Sequence, residues 1–238
     1  MNREYHRWYS PHLQRDMELL VFGHAGARVL IFPTSRGRFF EWEDRGMMES
    51  MGQLIDRGDI QVYCVDSVDA ESWYARNRWP GDRAHRQTQY DAYIQHEVVP
   101  LTQRNPDPFL IVMGASFGAY HAVNFAFRHP ELVGRVLAMN GLYTIRSWTN
   151  GYYDDNVYFN NPEDFVRGEN DPTRLAQMRA MDVILTTSEN EPLRGATERF
   201  SKILRDKGIP HALRVWRGWA HDWPYWKQMI DLYLGGHD

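Results

Sequence analysis

Apolar positions fall in short runs near the start of the chain and in longer sets spaced by three and four residues after it. Residues 6–12 and 16–22 read as an antiparallel strand pair about a turn near Gln14-Arg15. Gly23-His-Ala-Gly-Ala is a second turn, and residues 28–32 form a third strand stopped by Pro33, which has no N–H for a ladder. Met47, Met48, Met51, Leu54 and Ile55 mark a helix over 43–55, followed by a buried strand at 60–65. Tyr90, Tyr93, Ile94, Val98 and Leu101 fall on one stripe of a helix over 88–103. A strand from Leu110, a helix to Arg128 and a strand over 135–139 follow. The pattern then breaks over 141–179 into aromatic and polar residues. It resumes with strand 181–187, helix 193–207 closed by Gly208-Ile-Pro210, strand 212–216 and helix 223–234. This alternation predicts an α/β fold: a mostly parallel central sheet behind an antiparallel N-terminal meander, with helices on both faces. With no repeat or low-complexity linker, residues 1–238 read as one domain, and 141–179 as a small cap-like insertion.

Composition narrows the function classes. The 238 residues are 43% hydrophobic and 24% charged, enough for a full core, and no stretch approaches the roughly 20 apolar residues of a membrane span. The net charge of −4, with both signs interspersed, gives no footprint for nucleic acid. Lys202, Lys207 and Lys227 are the only lysines among 27 basic residues, a bias without functional weight. The first ten residues lack an apolar signal core, and the lone Cys64 lies in an apolar run, so a cytoplasmic protein without an intramolecular disulfide is expected. Nothing in the sequence signals an oligomeric state.

The chemistry concentrates at Leu110-Ile-Val-Met-Gly-Ala-Ser-Phe-Gly-Ala-Tyr120. Gly114, Ser116 and Gly118 form G-x-S-x-G between a strand and a helix, the context of a nucleophile turn too sharp for bulky neighbours. A serine hydroxyl needs a base, and the base needs a carboxylate to orient it. In a parallel sheet these gather at the carboxyl ends of strands. His221, between strand 212–216 and the last helix, fits the base. His6, His12, His24, His85, His96, His129, His211 and His237 lie elsewhere, and His121, one turn into the helix after the serine, is expected to pack or to orient a neighbour. The loop Ser188-Glu-Asn-Glu-Pro192 holds two candidate acids, Glu191 favoured and Glu189 the alternative. The oxyanion hole is expected from the N–H of Phe117 and that of Thr34 or Ser35 in the loop after the third strand.

These stretches, with Phe-Pro-Thr-Ser-Arg-Gly, Glu-Asp-Arg-Gly-Met and Gly-Trp-Ala-His-Asp-Trp-Pro-Tyr-Trp, make the chain resemble an α/β-hydrolase of the esterase group related to esterase D. The resemblance spans nearly the whole length. It implies a serine triad, no metal and no organic cofactor. Two departures stand out: Pro33-Thr34 replaces His-Gly, and a glutamate stands where aspartate is usual. Trp73, Tyr74 and Trp219 are expected to line an aromatic pocket, with 141–179 covering the serine. Asp154-Asp-Asn156 lacks cation-ligand spacing and reads as a turn. The expected reaction is cleavage of a small-molecule ester through an acyl-enzyme on Ser116, with no nucleic-acid or membrane partner. Acyl transfer or thioester cleavage by the same triad, or a non-catalytic binding role, are the alternatives.

Overall fold

A computed structural model describes residues 1–235; His237 therefore lies outside the described residues. Eight strands form one sheet: β1 (Arg3–Ser10), β2 (Arg15–Phe22), β3 (Ala27–Phe32), β4 (Ile60–Val65), β5 (Leu110–Ala115), β6 (Arg135–Met139), β7 (Asp182–Ser188) and β8 (Ala212–Trp216). Their spatial order is β1-β2-β4-β3-β5-β6-β7-β8. β2 pairs antiparallel with β1 and β4, and every other pair is parallel. The expected sheet and its N-terminal meander are thus present, with β1 beginning three residues earlier and ending two earlier than the pattern suggested.

Strand alternation sorts the core into two layers. Leu30, Phe32, Leu110 and Val112 point to one face. Val29, Ile31, Ile111, Met113 and Ala115 point to the other. The helices in chain order are α1 (Glu41–Asp44), α2 (Met47–Ser50), α3 (Gly52–Arg57), α4 (Pro80–Tyr93), α5 (Val99–Thr102), α6 (Phe117–Arg128), α7 (Asp155–Phe159), α8 (Pro162–Gly168), α9 (Pro172–Ala180), α10 (Arg194–Asp206) and α11 (Trp223–Tyr233). α4, α6 and α10 cover the first face through Tyr90, Val123 and Phe200. α1 to α3 and α11 cover the second through Trp42, Met51, Ile55 and Met229.

Two helices differ from the sequence expectation, each for a local reason. The segment 43–55 is three short helices, because Gly46 turns left-handed (φ 64°) and Met51 leaves the helical register. The helix expected over 88–103 starts eight residues earlier, at Pro80, a residue suited to the first helical turn. Its first two turns bury Arg83 and Gln87, so hydrophobic periodicity could not reveal them. A π-helical turn over Ile94–Val98 joins α4 to α5 where Pro100 offers no N–H to the preceding turn. Residues 141–179 hold a short 3-10 turn (Arg146–Trp148) and α7 to α9. Asp154 caps α7 through the Val157 N–H, a helix start rather than a cation site.

Candidate active site

Ser116 joins β5 to α6 at φ 55° and ψ −118°, a strained backbone for a residue with a Cβ. Its N–H donates to the Met139 carbonyl at the end of β6 (2.8 Å). The flanking glycines follow from close packing: a Cβ on Gly114 would lie 2.3 Å from the Gly118 carbonyl carbon, and one on Gly118 would lie 2.5 Å from the Phe32 oxygen. Ser116 is partly exposed amid buried neighbours, and its Oγ has no hydrogen-bond partner among the described residues.

Two neighbouring strand ends bring the expected base and acid together. His221 follows β8, and its Nδ1 stands 3.3 Å from Glu191 Oε2 in the loop after β7. A carboxylate at Nδ1 selects the tautomer with the proton there, leaving the Nε2 lone pair free to act as a base. The ring also meets Trp226 of α11 edge-on (centroids 5.4 Å, 66°). Glu191 is 5% exposed. Burial alone would raise its carboxyl, but hydrogen bonds from His221, Thr187 and Asn140 outweigh that and hold its pKa below the ordinary value. Thr187 Oγ1 donates to Oε1 (2.5 Å), and Asn140 Nδ2 donates to Oε2. Glu189 is exposed and instead accepts the Gly218 N–H (2.9 Å).

Asn140 went unread in the sequence. It follows β6 in a left-handed turn (φ 53°) and accepts from Trp226 Nε1 (3.0 Å) while donating to Glu191. Its signal was positional: an asparagine directly after a strand on the catalytic edge, a residue type that tolerates left-handed backbone.

The loop after β3 is tied down by carboxylates. Glu41 accepts both the Thr34 N–H (2.8 Å) and the Thr34 hydroxyl (2.7 Å). The expectation that Thr34 supplies an oxyanion donor is thereby corrected, since its N–H is already spent on a carboxylate. The Ser35 N–H has no partner among the described residues, and the Phe117 N–H is one of the unpaired donors at the start of α6. Asp69, fully buried, accepts the Arg36 N–H (2.8 Å) through one oxygen and pairs with His121 Nε2 (2.8 Å) through the other. Gln87 stands 3.3 Å from His121 Nδ1. His121 thus anchors the loop through Asp69.

Of the aromatic residues expected in a pocket, Tyr74 packs on Phe117 (5.3 Å) and donates from its hydroxyl to Ser35 Oγ (2.6 Å). Trp148, in the 3-10 turn after β6, stacks on Phe117 (5.3 Å, 9°). Trp73 corrects the expectation: it has no exposed surface, and its Nε1 donates to Tyr120 Oη (2.9 Å) inside a cluster with Ile145 and Val157. Trp219 lies on the exposed loop before His221, edge-on to Tyr225. Among the described residues no group of three His, Cys, Asp or Glu side chains is placed to hold a metal ion, and no helix is long and apolar enough to cross a membrane.

The sheet order and the serine turn define the α/β-hydrolase class. The family described as "Putative esterase" matches residues 41–234, and the chain belongs to it: the protein is a carboxylic ester hydrolase. Solved structures agree on the fold across almost the whole chain. A ferulic acid esterase superposes with a TM-score of 0.77 at 19% identity, covering 97% of this chain and 95% of its own. An S-formylglutathione hydrolase from Agrobacterium tumefaciens gives 0.74 at 14%, covering 96% and 91%. The Staphylococcus aureus fluorophosphonate-binding serine hydrolase FphF gives 0.73 at 14%, covering 97% and 95%. No curated protein matches the chain.

Proposed function

We propose that the protein cleaves carboxylic esters of small molecules through an acyl-enzyme on Ser116. The observation that carries this reading is the left-handed backbone of Ser116 at the strand-to-helix turn, with Glu191 and His221 paired after β7 and β8, two and three strands away. As Ser116 Oγ attacks the ester carbonyl carbon, its proton passes to His221 Nε2 and the carbonyl electron pair moves onto oxygen. The N–H groups of Phe117 and Ser35 receive that oxyanion, each such donor being worth about 2.7–4 kcal/mol in comparable sites. Collapse breaks the ester C–O bond, and His221 returns the proton to the leaving alkoxide. Water then repeats the sequence on the acyl-enzyme, releasing the acid and restoring Ser116. Glu191 keeps the proton on Nδ1 and stabilises the imidazolium. The bond from Ser116 Oγ to His221, open in this conformation, closes as substrate seats, as catalytic contacts commonly do.

The reading takes the chain as one catalytic domain, cytoplasmic, with residues 141–179 covering Ser116. Labelling with a fluorophosphonate, followed by peptide mapping, tests it. Modification at Ser116 is expected in the wild type and is expected to vanish in Ser116→Ala and His221→Ala. A wild type that resists the probe, or that is modified elsewhere, overturns the mechanism. Product analysis with a competing alcohol or thiol separates hydrolysis from acyl transfer.

A further inference from the structure

A second feature is linked to Ser116 through two stacked aromatic residues, Trp148 and Phe117. Arg76, Arg83, Ser147, Trp148 and Asn150 line a cavity of about 230 Å³. Whole-ligand pockets usually span about 300–1,000 Å³, so this space suits part of a ligand. Trp148, which lines the cavity, stacks its indole on Phe117, the residue that follows Ser116. Arg83 is 2% exposed, yet no carboxylate answers it. Two of its N–H groups go to main-chain carbonyls, Trp73 at 3.2 Å and Trp148 at 2.7 Å, and its Nε has no partner among the described residues. Burial, and then repulsion from Arg76, lower its pKa. Arg76 is exposed and lies over the Trp148 ring (5.8 Å).

The neighbourhood repeats the imbalance. The guanidinium groups of Arg36, set over Tyr74 (5.3 Å), and of exposed Arg78 also have no carboxylate partner among the described residues. Other arginines nearby are paired: Arg38 with Asp66 (2.7 Å) and Arg86 with Glu71 (2.5 Å). Asp154 of the cap is spent on Tyr152, Asn156 and the Val157 N–H. A chain of net charge −4 therefore places two guanidinium groups without a carboxylate partner among the described residues, those of Arg83 and Arg76, at one cavity. A buried cation without a counter-ion is costly, and an anion supplied by the ligand offsets that cost.

We propose that this cavity is a subsite for an oxyanion group, a carboxylate or a phosphate, carried by the ester substrate. Arg83 forms its fixed base and Arg76 its mobile rim, the planar forks suiting either anion. The proposal rests on the esterase reading for its substrate class, and the test separates the two. Rates are compared for 4-nitrophenyl hydrogen glutarate against 4-nitrophenyl pentanoate, placing the charge on the acyl side. A second arm compares 4-acetoxybenzoate and 4-acetoxyphenyl phosphate against phenyl acetate, placing it on the leaving group. At low salt, kcat/KM for a charged ester is expected to exceed that of its neutral counterpart. That ratio is expected to fall about tenfold in Arg76→Gln, the worth of one charge-assisted contact, and to shrink in high salt. Arg7→Gln, on β1 and paired with Asp16, is the control in which the ratio stays put. Neutral esters preferred in both arms, or a ratio that Arg76→Gln does not move, overturn the subsite while leaving a labelled Ser116 intact. Calorimetric binding of the charged esters to Ser116→Ala supplies the converse. Binding that weakens with Arg76→Gln, beside a wild type that turns over no ester, keeps the subsite and sinks the esterase reading.

Discussion

One methyl group added at Gly118 is expected to separate the serine turn from the oxyanion loop. The Cβ of Gly118→Ala would stand 2.5 Å from the Phe32 oxygen and 2.6 Å from the Pro33 oxygen, against an ordinary contact of at least 3.4 Å. Relief needs a shift of about 0.9 Å, and both obstructing atoms are main chain, so no rotamer change absorbs it. Those carbonyls lead into Ser35, while Gly118 follows Phe117, so the displacement falls between the two proposed donors. Catalytic groups tolerate about 0.5 Å of misplacement, which makes loss of one donor the expected outcome. That loss corresponds to a fall in kcat of about 10²–10³. Overpacking is expected to cost about 1–3 kcal/mol of stability, lowering Tm by about 2–4 °C per kcal/mol in a chain of this size. Steady-state kinetics on a neutral 4-nitrophenyl ester and thermal unfolding by circular dichroism measure both effects. A variant with kcat within about threefold of wild type and an unchanged Tm would refute the reasoning.

The remaining expectations concern the groups around His221 and one remote carboxylate. Glu191→Gln puts an amide donor among the donors from His221, Thr187 and Asn140, and is expected to lower kcat by about 10³–10⁴. Glu189→Gln, on an exposed loop, should leave fluorophosphonate labelling near wild type; the reverse ranking would move the acid to Glu189. Asn140→Ala removes both the bond to Glu191 and the acceptor for Trp226 in a left-handed turn, and is expected to lower kcat about tenfold. Asn140→Gly, which relieves only the backbone, should recover Tm more than kcat. Glu97 accepts from Ser10, Trp8 and His12. Burial acts to raise its pKa, yet these bonds leave it below the ordinary value of 4.5. A depressed folded-state pKa stabilises the fold above the unfolded value, and that contribution is lost as pH falls through the folded one. Glu97→Gln should therefore cost about 1–3 kcal/mol at pH 7, with the difference from wild type shrinking below about pH 4.5 in urea titrations. A difference that is constant with pH would contradict the assignment.

Sequence alone determined the parts of this protein that rest on local constraints. The serine turn is legible because Gly114 and Gly118 answer to close approaches within one strand–turn–helix unit. Strands β3 to β6 are legible because buried strands are largely apolar runs of few residues. The meeting of His221 with Glu191 could be anticipated because both follow carboxyl ends of neighbouring strands. Tertiary structure decided the rest. Glu189 and Glu191 are two residues apart and alike in chemistry; only the packing of β6 and α11 brings Asn140, held by Trp226, to one of them. Thr34 looked like a donor until Glu41, seven residues on, folded back onto its N–H. Trp73 looked like a pocket wall, but Ile145 and Val157 pack into one buried cluster with it. The first two turns of α4 and the Asp69–His121 pair escaped periodicity because they bury polar groups against partners distant in sequence. Local sterics write themselves into residue type and spacing, whereas the partner of a buried polar group is chosen by which elements the fold brings into contact.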